Sequence, residues 1–414
     1  MTQGNDRSKG DLLVNNLIYR QPQQLSLAVN RTLKRQQFQR SSYEAGETAI
    51  INWNTGSDSV NAPNSYLVFT VKLTGTDPTA NFGVGSAINL FDRITITSKS
   101  GTDLDRIDKL NLLSAKQLRH RNSQDWIDHY ATAIGMGSTG KASSDPAILN
   151  ATGTKFVIPL NLLSGFFNPT GGHLIPPQIA AGLEISLRFA DFRTALVQKT
   201  GTVEGYRISG ISMMTDCVTL SDDTQKSLNF ESAQSGLEFT YPRYHTATSV
   251  VSSTAINVQV AKSVAQASTL TATLVRQSDI LKVEADSLRS VPWLITSWSA
   301  RLGNLYFPNE ALTDDATDGL ESYFITQTVN DKAKYSHAEN AVSIADFKDG
   351  FGVIMASFER DQSLNLSGCP VNNSRQIELS ATLDSFTDGN REITVFLEYS
   401  CVAKCYIDNC SVSV

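Results

Sequence analysis

No stretch of this 414-residue sequence approaches the ~18 uninterrupted apolar residues of a membrane-spanning helix, so no helical crossing of a bilayer is expected. Charge is scarce as well. Asp, Glu, Lys and Arg make up 18% of the chain, below the roughly 25% of ordinary soluble domains. With 26 Gly and 12 Pro the chain is neither collagen-like nor low-complexity, and a hydrophobic content of 41% excludes intrinsic disorder. Five cysteines without a Cys-x-x-Cys pair exclude a disulfide scaffold and speak against zinc. Thiols of this kind fit synthesis in a reducing compartment. The first residues, MTQGNDRSKGDLLVNN, lack an apolar core, so no secretory signal is expected.

Catalytic signatures are lacking too. The five histidines (His120, His129, His173, His245 and His337) show no ligand spacing, and neither H-E-x-x-H nor G-x-S-x-G occurs. Gly135 to Lys141, GMGSTGK, matches G-x-G-x-x-G and also G-x-x-x-x-G-K, with Ala142 where a phosphate loop needs Ser or Thr. Such a loop must leave a buried strand and open a helix. Here DWIDHYATA precedes it and the turn-forming ASSDPAILNATGT follows, a context that fits a long surface loop better. Asp103, Asp105 and Asp108 lack the Gly and terminal Glu of an EF-hand loop, and read as a solvated turn leading into a helix. The basic run Lys116, Arg119, His120 and Arg121 is of a kind that touches phosphate, but it reads as the solvated face of that helix. No catalytic residue, cofactor-binding residue or metal ligand is assigned, no cofactor is expected, and the chain reads as a non-enzyme.

What the chain does have is alternation. Ser and Thr fill roughly a fifth of it, a bias that suits strands and polar loops. Leu183, Ile185, Leu187 and Phe189 point one way while Glu184, Ser186 and Arg188 point the other. Ile377, Leu379, Ala381 and Leu383 alternate equally cleanly, and runs from Ser65, Ile94, Tyr206, Ala255, Thr269 and Trp293 continue the series. Period two with one apolar face predicts antiparallel sandwiches or barrels. The last strand carries Cys401 and Cys405 on its apolar phase and Cys410 on the opposite one. Helical spacing is confined to Asp105–Tyr130 and to a patch from Gly319, which read as insertions in a β-rich chain.

Two halves emerge. The polar stretch Ser221–Ser227 marks a boundary, and LEISL at Leu183 is echoed by IELSA at Ile377, 194 residues on. Each echo is followed by a second long strand, which favours a duplication. Each half has room for eight strands and long loops, the size of a jelly roll. The expected division is a basic N-terminal arm at 1–40, a first jelly roll at 41–226 and a second at 227–414. The arm carries seven basic side chains (Arg7, Lys9, Arg20, Arg31, Lys34, Arg35 and Arg40) against two acids. With the whole chain at −6, that leaves an acidic body. Such an arm suits an acidic partner surface, lipid head groups or nucleic acid; a solvated leader explains it equally well.

The segment KFVIPLNLLSGFFNPTGGHLIPPQIAAGLEISLRF, Lys155 to Phe189, gives a strand, an apolar corner, a Gly/Pro-rich loop and a second alternating strand. It resembles the late-strand region of the first jelly roll in major capsid proteins of tailless icosahedral DNA viruses, above all the polinton-like virus and virophage branch. GNLYFPNEAL from Gly303 and the closing strands QIELSATLDSF and REITVFLEYSCVAKCYI are of similar flavour. The resemblance implies an all-β double jelly roll: two tandem eight-stranded rolls with short helical insertions and an N-terminal arm. It implies homotrimeric, pseudo-hexameric capsomers that tile an icosahedral shell, and a virion location. The partners it implies are copies of the chain, penton and minor capsid proteins and an inner membrane, without sequence-specific nucleic-acid binding. The seven basic residues of the arm would then be assembly contacts. The rival reading is a lectin-like or receptor-binding β-sandwich, since the two share a fold.

Overall fold

The computed structural model describes residues 28–136, 148–170, 173–180, 182–314, 318–330, 341–359, 368–372, 376–406 and 410–414. The phosphate-loop match at Gly135–Lys141 falls mostly outside them. Each alternating run becomes a strand; most keep one face buried, but the run from Thr269 is buried on both faces over Leu270–Val275. The first half holds β1 (Ala28–Gln37), β2 (Ser42–Glu44), β3 (Thr48–Trp53), β4 (Ser59–Val60), β5 (Tyr66–Asn81) and β6 (Phe91–Thr97). After these come β7 (Asp103–Asp108), β8 (Leu149–Asn150), β9 (Thr154–Pro159), β10 (Leu183–Phe189) and β11 (Val197–Leu220). One sheet runs β1-β11-β5-β8, with β2 and β4 on β11 and β9 on β5; the other runs β3-β10-β6-β7. The two sheets meet through edge-to-face aromatics such as Phe69 and Phe91, 5.7 Å between centroids.

The second half repeats this order. It comprises β12 (Leu237–Val251), β13 (Ala255–Val260), β14 (Val264–Arg276), β15 (Ile295–Leu302), β16 (Leu305–Thr313) and β17 (Ile354–Ser357). β18 (Cys369–Val371), β19 (Ile377–Leu383), β20 (Arg391–Cys405) and β21 (Cys410–Ser413) complete it. Its sheets run β12-β20-β14-β17 and β13-β19-β15-β16. Strand for strand, β12 stands where β1 does and β16 where β7 does. The echoed segments are β10 and β19, the second strands of equivalent sheets. The chain is a double jelly roll, as expected.

Three local features differ from expectation. The helix expected from Asp105 begins later. Asp103–Asp108 pair with β6 as β7, and only after Lys109, at φ 54, does α1 (Leu110–Arg121) start. Leu104 and Ile107 bury along that strand, so cross-strand pairing outweighed the helical spacing. The polar boundary at 221–227 opens α2 (Asp222–Gln234), with Asp222 and Asp223 in its first turn, where acids favour a helix N-terminus. Cys410, expected on the wet phase, is buried because β21 folds back and pairs it with Cys405. The described cysteines Cys217, Cys369, Cys401, Cys405 and Cys410 are all buried thiols. The patch from Gly319 is helical as α3 (Leu320–Val329); residues 331–340 lie outside the described set.

The long β11 stays inward-facing through a bulge between Ser209 and Ser212. Gly210, at φ 63, supplies the left-handed turn. Tyr206 and Ile208 before it, and Met213, Thr215 and Cys217 after it, therefore all bury.

Candidate functional site

Of the seven basic residues assigned to assembly, Arg7, Lys9 and Arg20 lie outside the described residues. The other four sit on or just after β1, which hydrogen-bonds along β11 from Ala28 to Gln37. Arg31 makes a two-pronged contact with Asp216, Nε and Nη2 donating at 2.8 and 2.6 Å. That contact holds the Asp216 carboxyl below its ordinary range. Lys34 donates to Asp58 at 2.5 Å, and Arg40 pairs with Glu47 at 3.0 Å. Arg35 donates to the Met214 sulfur at 3.3 Å and has no acidic partner among the described residues. Three of these four cations are thus spoken for within the chain.

The largest concentration of buried polar groups lies where the two rolls meet. β7 and β12 are each the last strand of their sheet, so both present unpaired backbone groups. Side chains from β12 satisfy them. The Tyr241 hydroxyl donates to the Leu104 carbonyl at 2.5 Å, and Thr246 Oγ1 donates to the Asp108 carbonyl at 3.0 Å. Between them Arg243 Nε lies 3.4 Å from Asp105, whose other oxygen accepts from the Ser164 hydroxyl. Asp105 is 0% exposed, and burial pushes its carboxyl up to about 6 against the pull of Ser164 and Arg243. The expected solvated acidic turn is a strand edge in which the second roll buries Asp105 while Asp103 stays exposed.

α1 lies beside β7 and extends the same seam. Lys109 donates to Glu392 at 2.5 Å, and Arg121 reaches both the Tyr244 hydroxyl, at 3.2 Å, and the Glu398 carboxylate. Lys116 Nζ donates to Ser290 Oγ at 2.7 Å, and His120 Nε2 donates to the Phe351 carbonyl at 2.8 Å. The Arg119 guanidinium lies 5.1 Å from the centre of the Phe351 ring. Lys116, Arg119 and His120 are buried, which corrects the solvated face expected of this basic run. Burial drives the Lys116 ammonium down to about 7 despite the nearby Asp286 carboxylate. Asp286 itself reaches across to accept the Val84 amide at 2.7 Å. Gly83, at φ 59, makes room for it, since a Cβ there would stand 2.2 Å from a carboxylate oxygen. A cavity of about 230 Å³ remains in the seam, lined by Ile107, Leu110 and Leu118 from the first roll and by Pro242 and Tyr244 from β12.

Nothing in this arrangement positions a nucleophile against a base over an open cleft. Among the described residues no group of three or more His, Cys, Asp and Glu side chains could hold a metal. What the polar groups do is lock one roll against the other. No local pattern points to the partners of Lys116 or Asp105, because those partners are more than 50 residues away in the chain.

The architecture is that of the double jelly-roll proteins. No model of a known protein family matches the sequence, and no curated protein matches it. Among solved structures the chain is similar to one from the PBCV-1 virus capsid, at 12% identity and a TM-score of 0.65, covering 96% of this chain and 98% of that one. It is also similar to the Faustovirus major capsid protein (8% identity, TM-score 0.62, 94% of this chain and 92% of that one). The mavirus major capsid protein gives 12% identity and a TM-score of 0.53, covering 92% and 90%. At such identities the likeness is one of fold, and it runs over nearly the whole of each chain.

Proposed function

We propose that this chain is a major capsid protein that builds an icosahedral shell from copies of itself. The observation that carries the reading is the end-to-end match of both rolls, at 96% and 98% coverage, to a chain of a virus capsid. Two similar rolls in one chain give a trimer six similar walls, and a six-walled outline tiles a lattice. In this reading residues 41–226 and 227–414 are the rolls and 1–40 the arm, whose last ten residues before Phe38 lie in the sheet as β1. Arg7, Lys9, Arg20 and Arg35 contact neighbouring capsomers, penton and minor proteins or an inner membrane, whereas Arg31, Lys34 and Arg40 first secure β1 to its own roll. The reading places the chain in the virion and assigns it no catalytic step. Light scattering of the purified full chain is expected to give three times 45.1 kDa, with hexagonal outlines in negative stain. A chain that stays at one times that mass at all concentrations and salts overturns the reading.

A further inference from the structure

Of the end strands of the four sheets, the seam closes β7 and β12, and it leaves their counterparts β16 and β1 uncovered. β1, at the edge of the first roll, pairs only with β11 among the described residues, and β16, at the edge of the second, only with β15. By position β1 is the counterpart of β12 and β16 the counterpart of β7. The helix following each strand repeats the correspondence, α1 after β7 and α3 after β16.

α3 packs Tyr323, Ile325 and Val329 partly buried against the core, yet it leaves a second apolar face outward. Its buried residues are Ser322, Thr326 and Gln327, with Ser322 accepting from Trp298 Nε1 at 2.7 Å. Its outward face carries Leu320 and Phe324, four residues apart and 54% and 64% exposed. Next to it β16 exposes Leu305 and Tyr306. An apolar hollow of about 320 Å³ opens between them, walled by Phe307, Phe324, Val329 and Met355. Its counterpart beside α1 is closed by Pro242 and Tyr244 of β12. On β1, Leu33 is 50% exposed and shares a face with Arg35, and Val29, at a bulge between Ala28 and Asn30, is 69% exposed. Charge matches as well: β1 is basic, and Glu310 on β16 is exposed without an ion pair among the described residues.

We propose that β16 and α3 of one copy close over β1 of a second copy, repeating between chains the seam that β7 and α1 make with β12 within one. Leu33 packs toward the hollow beside Phe324, and Arg35 pairs with Glu310. Each contact uses different surfaces on its two sides, so it propagates head to tail and closes after three copies into a ring of six rolls. The inference rests on the assembly reading above and names the surfaces it uses.

The test measures mass against concentration for the full chain and four variants. Leu33→Asp and Phe324→Asp are each expected to weaken the trimer more than about a hundredfold, as loss of a central apolar anchor does. Arg35→Glu and Glu310→Lys are each expected to weaken it several-fold, and the double swap to restore it. Both apolar sites are on the surface, so circular dichroism and melting of the monomer should match wild type. A wild-type trimer indifferent to all of these substitutions overturns the seam while leaving the assembly reading intact. A wild type that never leaves the monomer overturns both. Weakening by the charge variants without rescue by the double swap overturns the Arg35–Glu310 pairing.

Discussion

The closed seam and the open edges differ in what equivalent positions are made of. Where β7 and α1 meet β12 inside one chain, apolar side chains such as Ile107, Leu118 and Phe239 surround buried cationic and hydroxyl groups, several of which have a partner across the boundary. Where β16 and α3 face outward, the exposed groups are Leu305, Tyr306, Leu320 and Phe324. A contact made within a chain forms at high effective concentration, so it tolerates buried charges that contribute specificity at a cost in stability. A contact between chains must overcome the loss of translational and rotational freedom and leans on apolar anchors. The same topology thus carries two solutions, one for each kind of joint.

Breaking the seam at its most buried ion pair should have the largest effect. Arg243→Ala leaves Asp105 fully buried beside Ser164 without its cation, which should cost about 3–5 kcal/mol in chemical denaturation. The deficit is pH-dependent in a defined direction. Asp105 already titrates near 6 in the folded chain, above its ordinary 3.8, so acid neutralises it before the carboxyls of the unfolded chain. The variant should therefore lose more against wild type at pH 8 than at pH 5. An equal loss at both values would mean that Arg243 acts through packing and that the charge of Asp105 is immaterial.

Lys116 sharpens the comparison from the other side, because its charge opposes folding. Folded Lys116 releases its proton near pH 7, against 10.5 in its ordinary state. Between those values the unfolded chain holds more protons, so this group's contribution to stability rises with pH. Below pH 7 the full penalty applies. Lys116→Met removes the buried cation and leaves Ser290 bonded to the Gly352 carbonyl. The change it makes should be more favourable at pH 6, where the folded ammonium is charged, than at pH 9, in paired thermal melts. Destabilisation at both values would show that the Lys116–Ser290 bond outweighs the burial of charge.

How far the sequence foretold these features follows from the range of the interactions. Alternation at Leu183–Phe189 and Ile377–Leu383 reports local burial of one strand face, so the sheets and their repetition were readable. The fate of Lys116 depends on Ser290, and that of Asp105 on Ser164 and Arg243. No local pattern encodes those neighbours, and a run such as Lys116–Arg121 looks the same whether water or a second roll covers it. β7 was misread for a related reason, since Ile107 and Leu110 fit helical spacing while Leu104 and Ile107 in fact bury along a strand paired with β6. α3 carried a usable signal. Leu320 and Phe324 share a helix face apart from Ser322 and Thr326, a pattern that points to a second apolar face once the inward side is known.

The smallest effect is expected at the open edge, from Arg31→Ala. Arg31 is exposed, and its bonds to Asp216 tie β1 to β11 alongside a ladder of backbone hydrogen bonds that the substitution leaves intact. The loss in melting temperature should be smaller than the change at either seam position. Its pH dependence runs in the same sense as the Arg243→Ala deficit, larger at neutral pH than in acid, but over a lower pH range. The Asp216 carboxyl is held below its ordinary range by Arg31, so the contribution is complete above the ordinary carboxyl pKa. It fades as acid takes the solution down through the depressed folded value. Wild type and variant should therefore differ at neutral pH and converge in acid. A variant whose deficit persists there would show that Arg31 holds β1 through the aliphatic part of its side chain, and that the edge strand offered to a second copy is secured by packing alone.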